Sequence, residues 1–179
     1  MKKKNAGFTI VELIVVVAML SIFIGIFVVN VGRITGYNAK ECYKKISSAI
    51  TENKIETLSK AKETGDIYLQ IYKDTLKDRI YVRTVRNGKS ASKEYTDETK
   101  LTKRSGVTVT YELKNGGSVT TKTATKNHPL NICFNRASGA LVDPDDSYKV
   151  SKLQKIIISS GGYKYTIDIV PATGKVKGK

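Results

Sequence analysis

The residue that asks most of its surroundings is Glu12, a single carboxylate near the start of an apolar run that continues to Val31. No other charged residue falls between Lys4 and Arg33. An acid deep in a membrane-spanning helix costs about 2.5–3.5 kcal/mol on insertion scales, and such residues have a partner. A cut between Gly7 and Phe8 would create one, a positive α-amino group four residues before Glu12 on the same side of a helix. Within one chain that amine and carboxylate sit about a turn apart and stay poorly solvated in lipid. Between two staggered chains, the amine of one can meet the carboxylate of the next. The chemistry encoded here is assembly.

Little else in the chain is equipped for turnover. His128 is the single histidine and stands beside Pro129 in an expected loop, with no nucleophile motif around any Ser or Cys, so no catalytic residue and no enzyme activity are expected. Cys42 and Cys133 stand alone, without metal-ligand spacing. Asp143, Asp145 and Asp146 offer hard oxygen ligands to calcium, but with Pro144 they are equally the residues of a turn. The glycine pairs fall at expected hairpin turns, outside a phosphate-loop context. We therefore expect no cofactor and no metal. The basic tail, Lys175, Lys177 and Lys179, is the candidate ligand patch, able to neutralise phosphates in a salt-dependent way. Tyr163 and Tyr165 would add base stacking if they face the same way. The alternative is a frayed, solvated end.

These groups must be positioned by a few elements. The uncharged stretch Leu13 to Val29 forms a helix of roughly 26 Å at 1.5 Å per residue, close to the roughly 30 Å hydrocarbon core of a bilayer. Phe8 to Val11 lengthen it. From Arg33 the chain turns amphipathic. Cys42, Ile46, Ala49, Ile50, Leu58 and Ala61 recur at intervals of one helical face, and Ile55 fits less well. Gly65 closes the run after Lys60 and Lys62. The expectation is one helix from about Phe8 to Thr64, with Gly25, Gly32 and Gly36 as points where it could bend.

Beyond Gly65 the pattern shortens to strands. Ile67, Leu69 and Ile71 alternate in residues 66–73, and Ile80 and Val82 in residues 79–86, followed by an Asn87-Gly88 turn signal. Residues 89–104 read as a polar loop. Residues 107–113 and 118–125 flank Asn115-Gly116-Gly117 as a hairpin. Its second, Thr-rich strand is an exposed edge, guarded by Lys122 and Lys126. Further strands are expected at 130–135, 140–142, 155–159 and 163–170, the last pair joined at Gly161-Gly162. The fold class is α+β, a long N-terminal helix packed on an antiparallel β head. The domains read as residues 1–7, a leader; 8–31, a membrane or filament-core helix; 32–64, an amphipathic helix; and 65–179, the head.

The formal net charge is +15, and losing the three leader lysines leaves +12. Such an excess favours polyanions such as nucleic acid, envelope polymers or lipid headgroups, although lysines spread over a solvated surface give the same total. The leader lysines should stay cytoplasmic and place the remainder outside. There a bridge between Cys42 and Cys133 is chemically allowed. Two buried free thiols are the other reading, and sequence cannot supply the Cα distance that decides.

The N-terminal segment, a basic leader, Gly7, Phe8, and Glu12 at the fifth position after the cut, resembles the class III signal of type IV pilins and type II secretion pseudopilins. Ile10 and Val11 replace Leu and Ile of the family pattern. A secretory signal would place a small-residue cleavage site after its apolar run, which Val28-Val29-Asn30-Val31-Gly32 does not provide. An ordinary single-pass anchor does not explain Gly7, Phe8 and Glu12 together. The resemblance implies cleavage after Gly7 by a prepilin peptidase and N-methylation of Phe8. It further implies assembly through Glu12 with other pilin or pseudopilin subunits on an inner-membrane platform, from a single-pass position in the cytoplasmic membrane. Residues 130–179 loosely resemble the minor H-pseudopilin and FimT type, some of which end in a DNA-contacting Gly-Arg-x-Arg. Here the end is Gly174-Lys175-Val176-Lys177, which keeps the charge and loses the guanidinium fork. The resemblance leaves open a minor pilus subunit, a DNA-uptake subunit, or a secretion pseudopilin that meets exported proteins.

Overall fold

The computed structural model describes residues 9–61, 67–87, 93–95, 98–103, 105–143 and 146–178; of residues 27–35, 87, 93–95 and 146–149 it describes the backbone alone. The chain divides into two units, Met1–Ile34 and Thr35–Lys179. One helix, α1, runs Ile10–Lys60. Gly65, expected to end it, lies outside the described residues. In the first unit, every side chain described from Ile10 to Ile26 is exposed.

In the second unit α1 buries Ala39, Cys42, Ile46, Ile50, Asn53 and Thr57, with Ala61 just beyond its end. These follow at steps of three and four, one face of a 3.6-residue helix. The expected Leu58 is not among them and is 43% exposed. At about 100° per residue, Thr57 comes back under Ile50 while Leu58 lies about 80° off the stripe. The stripe therefore continues through polar residues that an apolar pattern skips. Thr57 satisfies its hydroxyl by donating to the Asn53 carbonyl, 2.8 Å away. The Asn53 amide has no protein partner among the described residues and lines a cavity of about 150 Å³ with Ala49, Leu69, Val82 and Thr99. A polar cavity of that size is large enough to hold water.

The first sheet contains β1 (Ile67–Asp74), β2 (Arg79–Asn87), β3 (Lys93–Tyr95), β4 (Thr99–Lys100), β7 (Leu130–Phe134), β8 (Leu141–Asp143) and β9 (Asp146–Val150). Its order is β3-β2-β1-β7-β8-β9, with β4 also on β2. The second contains β5 (Thr108–Asn115), β6 (Ser118–Thr123), β10 (Leu153–Ser160), β11 (Tyr163–Val170) and β12 (Lys175–Gly178), in the order β12-β11-β10-β5-β6. All strand pairs are antiparallel, and single-chain hairpins supply most of them. The expected polar loop at 89–104 is corrected in part. Its described residues form β3 and β4, and Leu101 is buried, its N–H donating to the Ile80 carbonyl at 2.8 Å. The Asn87-Gly88 turn falls at the edge of the described residues. β6 is exposed throughout and lies at the sheet edge.

One core joins the α1 stripe to both sheets. Leu69, Ile71, Ile80, Val82, Ile132 and Phe134 come from the first, and Val109, Ile156, Ile158, Ile167 and Ile169 from the second. The opposite face of β1 is buried as well, with Tyr68, Val85, Cys133 and Val142 forming a smaller cluster. Strand alternation decides the cysteines. Ile132 and Phe134 turn into the main core, so Cys133 between them turns to the other face of the sheet, while Cys42 sits in the main core. The candidate disulfide is thus corrected: both cysteines are free and buried. Burial pushes the Cys42 thiol up to about 12.

Two glycines do packing work. Gly36 is packed, since a Cβ there would lie 2.9 Å from the Tyr163 ring that closes against the helix. Gly174 has φ +58 in the turn before β12, and a Cβ on it would overlap the Gly139 carbonyl oxygen. The same turn is tied to α1 by Lys54, whose Nζ donates to the Thr173 carbonyl at 2.8 Å and lies over the Phe134 ring.

Gly174→Ala should therefore lose at least about 1–2 kcal/mol of stability from its left-handed backbone alone, read as a lower denaturation midpoint of the detergent-solubilised chain. Neither native thiol should react with a maleimide at neutral pH without denaturant, and both should react once unfolded. Rapid labelling of the folded chain would contradict their placement.

Candidate functional site

Three regions bear on function: the start of α1, the C-terminal strand, and one end of the second unit.

At the start of α1, Thr9 is the N-cap and Glu12 the third helical residue. The Thr9 N–H donates to Glu12 Oε2 at 3.0 Å, the Thr9 hydroxyl donates to the same oxygen at 3.0 Å, and the Glu12 N–H donates to Thr9 Oγ1 at 3.2 Å. This is a capping box, in which N-cap and third residue satisfy each other's free N–H groups. Its signal, Thr9-Ile10-Val11-Glu12 ahead of an apolar run, is legible in the sequence. Glu12 therefore has a partner in its own chain, and both contacts fall on Oε2. Downstream, the Ser21 hydroxyl donates to the Val17 carbonyl at 2.8 Å, so the helix satisfies it internally. Ile10, Val11, Leu13, Ile14, Met19 and Phe23 are each more than half exposed. Contiguous apolar surface on this scale marks a protein or membrane contact. Gly7 and Phe8 lie outside the described residues.

No helix among the described residues is long and apolar enough to cross a membrane. Side chains are described here only to Ile26, and the seventeen residues Ile10 to Ile26 span roughly 26 Å, less than a roughly 30 Å hydrocarbon core. Residues 27–31, which complete the run in the sequence, are described as backbone alone.

The basic tail is not frayed. Lys175 and Lys177 belong to β12, paired to β11, and Lys179 lies outside the described residues. Val176 pairs with Ile169 on the core side, so Lys175 and Lys177 point outward. Tyr165 shares the inner face with Ile167 and Ile169 and rests on Tyr43, their rings 5.8 Å apart. Tyr163, two residues earlier, faces the same way and packs on Gly36. The expected combination of stacking tyrosines with tail lysines is therefore corrected, since the two sets occupy opposite faces. Lys177 is also directly opposite Asp168, which is opposite Lys155, which pairs with Glu112 at 3.4 Å. Charge alternates along this row.

The third region gathers segments far apart in sequence. Asp78, in the turn between β1 and β2, takes the Gly106 N–H at 2.9 Å and pairs with Lys73 at 2.6 Å. Lys126 reaches Asp74 at 3.9 Å, and its N–H donates to the Lys73 carbonyl. Gly106 faces Ser160, which pairs with Tyr163, the residue packed on Gly36 of α1. Lys77, Lys103 and Lys126 are exposed here, as is Leu76, at 96%. No sequence signal announces this cluster, because only strand register brings it together. Asp74 is held below the usual carboxylate range by the backbone N–H of Lys77 and then that of Leu76, and Asp78 by the Lys73 ammonium and then the Gly106 N–H.

Residues 2–28 match the family model described as the prokaryotic N-terminal methylation motif. The match spans Gly7, Phe8 and Glu12 and supports a type IV pilin-type precursor, a class of structural subunits rather than enzymes. The motif implies processing by a prepilin peptidase and assembly with other pilins. No curated protein and no solved structure matches the chain.

Depressed carboxyls stabilise the fold above their unfolded pKa of about 3.9, and that contribution is lost as pH falls through the lower folded value. Thermal midpoints should therefore drop on acidification below about pH 4. Asp78→Asn, which tolerates the φ of 47° at this position, should lower the midpoint at neutral pH and shrink that acid-dependent drop. An unchanged acid limb in the variant would remove Asp78 from this role.

Proposed function

We propose that the chain is the precursor of a type IV pilin-like structural subunit, cut after Gly7 and assembled into a pilus or pseudopilus. The observation that carries this reading is the exposed apolar helix from Ile10 to Ile26 with its one carboxylate, Glu12, inside a matched methylation motif. A peptidase exposes the amine of Phe8, which is methylated as the motif's description indicates. Residues 8–31 then hold the subunit in the cytoplasmic membrane with residues 35–179 outside, and later pack into the filament core. Thr9 occupies Oε2 of Glu12, which leaves Oε1 to receive the amine of a neighbouring subunit. The carboxylate thus caps its own helix and sets the stagger of the next. The platform that drives assembly is the inner-membrane machinery of such systems.

A minor rather than a major subunit fits the high positive charge and the loose likeness of residues 130–179 to minor pseudopilins. The alternating row Lys177, Asp168, Lys155, Glu112 counts against DNA capture by the tail, because each outward lysine there faces an acid or lies one register step from one.

Mass spectrometry of the native product should find Phe8 as first residue, N-methylated. Glu12→Gln keeps the capping box, since glutamine also serves at that position, and removes only the charge. The variant should be processed normally yet be incorporated into sheared filaments at least tenfold less. A different first residue, or full incorporation of the variant, would end this reading. A minor subunit should be substoichiometric in the same filaments.

A further inference from the structure

The basic end of the second unit has a use that the filament reading leaves unassigned. Its two acids are engaged internally: Asp74 accepts the N–H groups of Leu76 and Lys77 on Oδ1 and faces the largely exposed Lys126 at 3.9 Å with Oδ2, and Asp78 is committed to Lys73 and Gly106. Exposed at this end are Lys77, whose Nζ lies 5.8 Å over the Tyr81 ring, Lys103 and Lys126, together with an almost fully exposed Leu76. An exposed apolar side chain accompanied by lysines suits the boundary between anionic headgroups and acyl chains. Contacts place this end beside the first residues of the unit. Gly36 holds the Tyr163 ring, Tyr163 pairs with Ser160, Ser160 faces Gly106, and Gly106 bonds Asp78. The Glu41 carboxyl of α1 is lowered first by Lys45, 2.9 Å away, and in lesser part by the nearby charge of Lys103. Thr35 follows Val31, the end of the proposed anchor, by four residues, or at most about 14 Å of extended chain.

We infer that this end is a docking surface for an anionic phospholipid bilayer, with Leu76 entering the interface and Lys77, Lys103 and Lys126 meeting lipid phosphates. It rests on the anchor reading above, which brings a bilayer to Thr35. The contact holds a waiting subunit on its membrane until assembly withdraws it. Such attraction falls off within a Debye length and is screened by salt.

The test uses the full chain carrying Leu76→Cys and labelled with an environment-sensitive fluorophore; the buried native thiols leave the introduced one as the reactive site. The protein is reconstituted into vesicles of phosphatidylcholine, or of phosphatidylcholine with about a third phosphatidylglycerol, and floated on a gradient. Flotation with both vesicle types is expected from the anchor. Emission should rise at least twofold and shift to the blue only in the anionic vesicles. Lys77→Glu combined with Lys126→Glu, or about 1 M salt, should return it to the aqueous value. Flotation with equal emission in both compositions overturns the docking surface while leaving the anchor intact. Failure to float with either overturns both. An emission rise that survives charge reversal would also sink the inference, since it would owe nothing to the lysines.

Discussion

The packing of one helical stripe against two sheets is the constraint on which the second unit depends. Ile46 and Ile50 of α1 reach a core to which both sheets contribute, so neither sheet completes its inner face without the helix. Burial of apolar area is the main favourable term in such a core. The stripe weakens toward its C-terminal end, where Asn53 and Thr57 replace aliphatic residues. Polar ties take over there. Lys54 holds the turn before β12, and Glu56 pairs with Arg86 of β2. The last turns of the helix are thus fixed by directional contacts, which specify position more sharply than area does.

The first unit obeys the opposite rule. Its side chains from Thr9 to Ile26 are uniformly apolar but for Thr9, Glu12, Ser21 and the small residues, and all are exposed. A helix that is apolar all round is stable only where something other than water covers it. The polar groups it does carry are satisfied internally, Ser21 on Val17 and Glu12 on Thr9. That internal satisfaction is what an environment without water demands. It also means that the carboxylate proposed for assembly is already oriented by its own helix cap, so a neighbouring amine would meet a fixed oxygen rather than a free side chain.

Charge is distributed unevenly over the second unit. In the row Lys177, Asp168, Lys155 and Glu112 across the outer face of β12, β11, β10 and β5, positive and negative residues alternate. Around the turn of β1 and β2 the acids are taken up by backbone N–H groups, Lys73 and Lys126. A count of lysines cannot distinguish a balanced row from an unbalanced end. Cross-strand register and hydrogen bonding make the distinction.

The sequence by itself determined the elements whose signal is local. The apolar run after Glu12, the stripe through Cys42, Ile46 and Ile50, the hairpin at Gly116-Gly117 and the turn at Gly161-Gly162 all follow from periodicity and turn chemistry, which involve residues a few positions apart. Even the capping box is written in four consecutive residues, Thr9 to Glu12. Tertiary structure decided whatever depended on partners distant in the chain. It placed Thr57 rather than Leu58 beneath the sheets and turned Cys133 away from Cys42. It enlisted part of a polar loop as β3 and β4, separated the tyrosines from the tail lysines, and drew Lys77, Lys103 and Lys126 to one end. The physical reason is the same in each case: a strand's two faces differ by a single residue, and which face meets the core is set by neighbours that the local sequence does not contain.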